Sequence, residues 1–137
     1  MEIRGEYCNT KNREPFLIAD LREGKNRVII FCSNNGLENL SLANRWHADG
    51  TFDTSPKMFY QFYLIHAWYK NVMLPCAYVL LSGKSEICYN MMLRALVQAG
   101  QKRSFRLRPT EICVDFETAI MNTFKFFFND IEIIGCW

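Results

Sequence analysis

Two aspartates carry the clearest chemical suggestion in this sequence. Asp49 stands in HADGTF and Asp115 in ICVDFE, each at the end of a short run of β-forming residues. If those two strands lie side by side, both carboxylates emerge at one edge of a sheet. Two carboxylates at one edge repel each other and raise a pKa unless a cation sits between them. Magnesium suits such a place, because it takes hard oxygen ligands and keeps open positions for water and phosphate oxygens. Two such ions can activate a water or a 3′ hydroxyl and stabilise the leaving oxygen in phosphodiester cleavage. The residues alone leave plainer readings open. Asp-Gly is also an ordinary turn, and an aspartate ahead of a helix is also an ordinary N-cap.

Other titratable residues carry less. Glu117, in DFE, could sit near the metals, but an acid in the first turn of a helix is also favoured by the helix dipole. Glu86 has the same two readings. Asp53 reads as a solvated turn residue. His47 and His66 are isolated in the sequence, and a hydrogen-bonded structural role is expected of both. Lys102, Arg103, Arg106 and Arg108, with Phe105 among them, form a basic connector that could touch phosphates; a solvated loop is the plainer reading. The Phe124–Phe128 cluster reads as core. Six cysteines at 8, 32, 76, 88, 113 and 136 form no C-x-x-C pair. They read as buried, reduced thiols behaving as small hydrophobes, with Cys136 the one for which a further role stays open.

The elements that must position the acids follow from periodicity. FLIA (16–19) and RVIIFC (27–32) flank the charged turn DLREGKN, the pattern of a β-hairpin. A short helix is expected around Leu37–Ala43. WHADGTF, MFYQFYLIHAWY and VMLPCAYVLL then read as three strands, separated by a turn at Ser55–Pro56 and a polar break at Lys70–Asn71. The second and third are apolar on both faces, so helices should cover them. Residues 85–99 change to helical spacing, with Ile87, Met91 and Ala95 beside Cys88, Met92, Leu96 and Ala99. Ser85 suits the start and Gly100 the end. A strand at 111–116, a helix at 117–128 with Ile120, Phe124, Phe127 and Phe128 inward, and a strand at 131–136 complete the order. The expected fold class is α/β: an N-terminal hairpin, an antiparallel meander, then strand-helix-strand units with parallel, right-handed crossovers. That is the order of an RNase H-like mixed sheet.

Composition is permissive. The 137 residues are half hydrophobic and 15% aromatic, enough for one domain with a real core. A net charge of +2 implies no nucleic-acid partner by itself. The richest apolar stretch, Met58 to Leu81, is broken by Gln61, His66, Lys70, Asn71 and Pro75, so no membrane span is expected. The N-terminus lacks the apolar core of a signal peptide, and the chain reads as intracellular.

The run RWHADGTFDTSPKMFYQFYLIHAW resembles the first catalytic block of Mutator-like element (MULE) transposases, within the RNase H-like DDE superfamily. LPCAYVLLSGKSEICYNMMLRAL resembles the next strand and helix of that domain. EICVDFETAIMNTFKFFFNDIEIIGCW resembles its second catalytic block and the start of its Cys/His motif, and FLIAD with RVIIFCSNNGLENL resembles the preceding hairpin. The resemblance covers roughly residues 14–137. It implies residues 1–43 as hairpin and connector and 44–137 as a partial RNase H-like transposase domain. It implies Asp49 and Asp115 as the first two catalytic, metal-binding acids of a D-D-E set. Magnesium or manganese is the implied cofactor, transposon-end DNA the partner and the nucleus the location. The third acid is expected downstream of the last strand, and the family's Gly-Cys at Gly135–Cys136 continues into an aromatic–His sequence of which only Trp137 is present. The expectation is therefore a C-terminally truncated core, inactive as it stands, with an exposed apolar face prone to self-association. The alternatives are a domesticated or decayed transposon-derived scaffold without catalysis, and an unrelated α/β binding module. No zinc-finger spacing precedes the domain.

Overall fold

A computed structural model describes residues 16–51 and 59–135. The first strands, β1 (Leu17–Glu23) and β2 (Asn26–Cys32), form the expected hairpin. Gly24 sits in its turn at φ +59°, the left-handed region that glycine enters without steric cost. β1 runs past FLIA through Asp20–Glu23, where Arg27 donates to both Asp20 carboxylate oxygens at 3.0 and 2.8 Å. These bonds hold the Asp20 carboxyl below its ordinary range.

Helix α1 (Asn34–Leu42) begins ahead of the expected Leu37, because Ser33 Oγ accepts from the Gly36 N–H at 3.0 Å and fixes the start. β3 (Arg45–Thr51), β4 (Gln61–Tyr69) and β5 (Val72–Leu81) are the antiparallel meander. Lys70 and Asn71 both have positive φ, 52° and 60°, which makes the β4–β5 connection a two-residue primed turn matched to strand twist. The Ser55–Pro56 turn and Asp53 lie outside the described residues.

Helix α2 (Glu86–Lys102) is capped by Ser85, whose Oγ accepts from the Cys88 N–H at 3.3 Å. It runs past Gly100 to Lys102, and Ser104 takes the left-handed conformation after it. Its buried face also differs from the expected stripe. Ile87 is 51% exposed, while Tyr89 and Leu93 are buried. β6 (Glu111–Val114), α3 (Thr118–Phe127) and β7 (Glu132–Gly135) follow. In α3 Ile120 and Phe124 are buried, Phe127 and Phe128 half-buried, and Phe126 exposed.

The seven described strands form one mixed sheet in the order β1-β2-β5-β4-β3-β6-β7. β3 is antiparallel to β4 on one side and parallel to β6 on the other, and β7 extends the parallel part. α2 contacts both α1 and α3, and the three helices pack against β5, β2 and β6 on one face. The expectation of helical cover is met on that face, where Tyr63, Ile65 and Ala67 of β4 are buried. On the other face Phe62, Leu64, His66 and Trp68 are only half-buried. Cys32, Cys76 and Cys88 are buried free thiols, as expected. Burial pushes Cys32 well up and Cys76 up to about 11. Cys113 departs from the expectation of reduced thiols and is disulfide-bonded; its apolar setting in EICVD gives no sequence signal of such a bond.

Trp46 ties these layers together. It is fully buried on β3, its indole N–H donates to the Leu40 carbonyl at the end of α1 at 3.0 Å, and its ring meets Phe124 and Phe128 edge-on. Trp46→Ala should cost roughly 3–5 kcal/mol of folding stability. Trp46→Phe should cost about 1–3 kcal/mol, because the Leu40 carbonyl is left without its donor. Urea denaturation of the two variants checks the order, and equal losses would contradict a role for the indole N–H.

Candidate functional site

The parallel ladder of β3 on β6 runs Arg45 to Glu111, Trp46 to Ile112 and His47 to Cys113. Asp49, two residues further along β3, and Asp115, the residue after β6, lie at the same end of these two strands. Both aspartates are exposed at the C-terminal ends of their strands. Asp49 and Gly50 form no turn: they lie inside β3, paired with Leu64 and Tyr63. Asp115 is no N-cap either, since the cap of α3 is Glu117.

Gly50 is required by close approach. A Cβ there would overlap the Gln61 side-chain oxygen and come within 3.0 Å of the Tyr63 ring. Those two residues floor a small cavity of about 70 Å³ between the sheet and the start of α3, lined by Ala48, Gly50, Gln61, Tyr63, Asp115, Glu117 and Ile120. Strand alternation puts Ala48 and Gly50 on the helix-covered face and Asp49 on the other. The cavity therefore takes Asp115 and Glu117, and Asp49 stands beside it without lining it. Among the described residues no three His, Cys, Asp or Glu side chains gather closely enough to share one ion.

A hydrogen-bonded relay supports the cavity. Gln61, 1% exposed, donates through Nε2 to the Gly83 carbonyl and to the Tyr89 hydroxyl, both at 3.1 Å. The Tyr89 O–H in turn donates to the two Glu117 carboxylate oxygens at 3.3 and 3.4 Å. Glu117 makes no side-chain bond to the helix it caps. Its carboxylate and Asp115 lie at the N-terminal end of α3, where the helix dipole favours negative charge. Burial, and then the opposed effects of Gln61 and Glu117, push Tyr89 up to about 12. Burial, Tyr89, Glu117, Asp49 and Asp115 together push Tyr63 well above its ordinary value. Both phenols thus remain protonated at neutral pH.

The remaining candidates separate from this edge. Glu86 accepts from Asn122 Nδ2 at 2.7 Å and links α2 to α3. His47 and His66 are not isolated: the β3–β4 register sets them opposite each other. Burial lowers both below the ordinary histidine range, with Arg45 and His66 adding to the effect at His47. In the basic connector, Arg103 donates to Asn34 Oδ1 at 2.9 Å and to the Ala99 carbonyl at 3.0 Å. Arg106 and Arg108 line a separate cavity with residues 127–131, at the C-terminal ends of α2 and α3. That is the opposite end of the sheet from the aspartates, and helix C-termini disfavour anions. Sequence reasoning missed Gln61, Tyr63 and Tyr89. Their one signal was a polar tip in an otherwise apolar run, since buried tyrosine hydroxyls require a partner.

Gly50→Ala should destabilise the protein by about 1–3 kcal/mol, by forcing Gln61 and Tyr63 off their positions. The loss should be read by urea denaturation. A substitution neutral for stability would show that the close packing around Gly50 does not exist in solution.

The family model for the MULE transposase domain matches residues 45–137, from the first residue of β3 onward. No curated protein and no solved structure matches the chain. The matched span holds both aspartates, the meander and both strand-helix-strand units, and the chain belongs to the MULE transposase domain family.

Proposed function

We propose that the chain carries the first two acids of a DDE-type DNA transposase core, with Asp49 and Asp115 as its catalytic, metal-binding pair. The observation that carries this is the parallel β3–β6 pairing, with an exposed aspartate at the C-terminal end of each strand within the family's matched span. The order β5-β4-β3-β6-β7, with a meander ending in parallel pairs, supports an RNase H-like reading. The donor set fits a hard cation: two exposed carboxylates, with the Tyr63 hydroxyl nearby. Magnesium or manganese held there would supply Lewis-acid activation of a water or 3′ hydroxyl for phosphodiester cleavage and strand transfer. The protein's own contribution is to fix the two carboxylates on adjacent strands and to keep neighbouring phenols neutral. The natural substrate in this reading is transposon-end DNA in the nucleus.

A second reading is a domesticated or decayed transposon-derived scaffold that keeps the fold without catalysis. The half-buried outer face of β4 supports self-association in either reading.

Calorimetry with manganese on the chain, beside Asp49→Ala and Asp115→Ala, tests the pair. Measurable binding that each substitution weakens at least tenfold is expected. Binding unchanged in both variants would remove the two aspartates from the metal site.

A further inference from the structure

The β3–β4 register sets His47 directly opposite His66. Strand alternation puts both on the sheet face away from the helices, where both are half-buried and an ion can reach them from solvent. Directly opposed side chains on one face of an antiparallel pair have Cβ atoms about 4.5–5.5 Å apart. Two imidazoles at that span can close on one ion at nitrogen–metal distances of about 2.0–2.1 Å. His47 Nε2 is buried and has no hydrogen-bond partner among the described residues. Its ring lies 6.2 Å from that of Trp68. A polar nitrogen withheld from water without a partner is destabilising, and a bond to a metal ion would satisfy it. His66 is prepared differently. Its ring N–H donates to the His47 backbone carbonyl. Metal-ligating histidines use their second nitrogen in this way, which fixes the tautomer and leaves the other nitrogen to ligate. The charges around the pair also suit a cation. Asp49 acts on His66 and Arg45 on His47, and Arg45 has Glu111 4.0 Å away, so two acids surround the pair with one arginine.

We propose that His47 and His66 together hold a transition-metal ion of the zinc, nickel or copper class, with water in its remaining positions. Imidazole suits these ions, whereas magnesium selects carboxylate, carbonyl and water oxygens. The ion would cross-link β3 to β4 beside Asp49, on the strand that the rest of the sheet pairs around. The inference does not depend on the pairing of Asp49 with Asp115, because its ligands are nitrogen donors on a different pair of strands.

The test is zinc calorimetry in excess magnesium on the intact chain and on His47→Gln, His66→Gln, the double variant and Asp49→Asn, with circular dichroism confirming the fold of each. Each single histidine substitution is expected to weaken zinc binding at least tenfold, and Asp49→Asn by less. Zinc should also raise the urea midpoint of the intact chain and leave that of the double variant unmoved, since an ion bound only to the folded state stabilises it. Zinc binding unchanged in the double variant would overturn the inference. So would binding lost in Asp49→Asn but kept in both single histidine variants, which would put the ion at the aspartates and leave the proposed function standing. No zinc binding by the intact chain would overturn the inference without touching the manganese result for Asp49 and Asp115.

Discussion

The structure depends on β3 being paired on both sides, antiparallel to β4 and parallel to β6. A hairpin suffices for the first pairing, but the second joins segments separated by two strands and a helix. Parallel pairing needs such a crossover, and β5, α2 and the connector provide it. The crossover closes only if α2 packs on the sheet, which is why its buried residues run from Cys88 to Gly100. Trp46 then anchors β3 to α1 and α3. That Asp49 and Asp115 come to the same end of the sheet is thus a consequence of core packing several residues away.

Asp49, Asp115 and Glu117 are drawn to one edge, and nearby lie phenols that burial and the same carboxylates keep protonated. Glu117 is steadied by a neutral relay from Gln61 through Tyr89 rather than by a cationic side chain. The basic residues that suggested phosphate contact are at the other end of the sheet, with Arg103 committed to α1 and to the end of α2.

Much of the fold was legible because strong local signals agreed. Ser33 and Ser85 cap their helices, and Lys70–Asn71 turns between two apolar strands. Alternation in β4 and helical spacing in α2 also pointed the same way. Errors fell where tertiary contacts override local pattern. Ile87 matched the helical stripe, but it is exposed in the first turn of α2, where Cys88 and Tyr89 take the buried positions. β1 continued through charged residues because an edge strand buries little of its side chains. Asp49 and Asp115 could be singled out from their flanking residues. Tyr63, Gln61 and Tyr89 could not, because a polar tip becomes meaningful only when long-range packing sets it beside a carboxylate. The opposed histidines were hidden for the same reason, since pairing depends on register.

The account turns on Asp49 and Asp115 being close enough to repel, and the most direct measurement is a double-substitution cycle of folding stability without divalent cations. Asp49→Asn and Asp115→Asn should each stabilise the chain in EDTA. The double variant should gain less than the sum, because the first neutralisation already relieves the repulsion. Gains that add, or no gain at all, would mean that the two carboxylates do not share one edge.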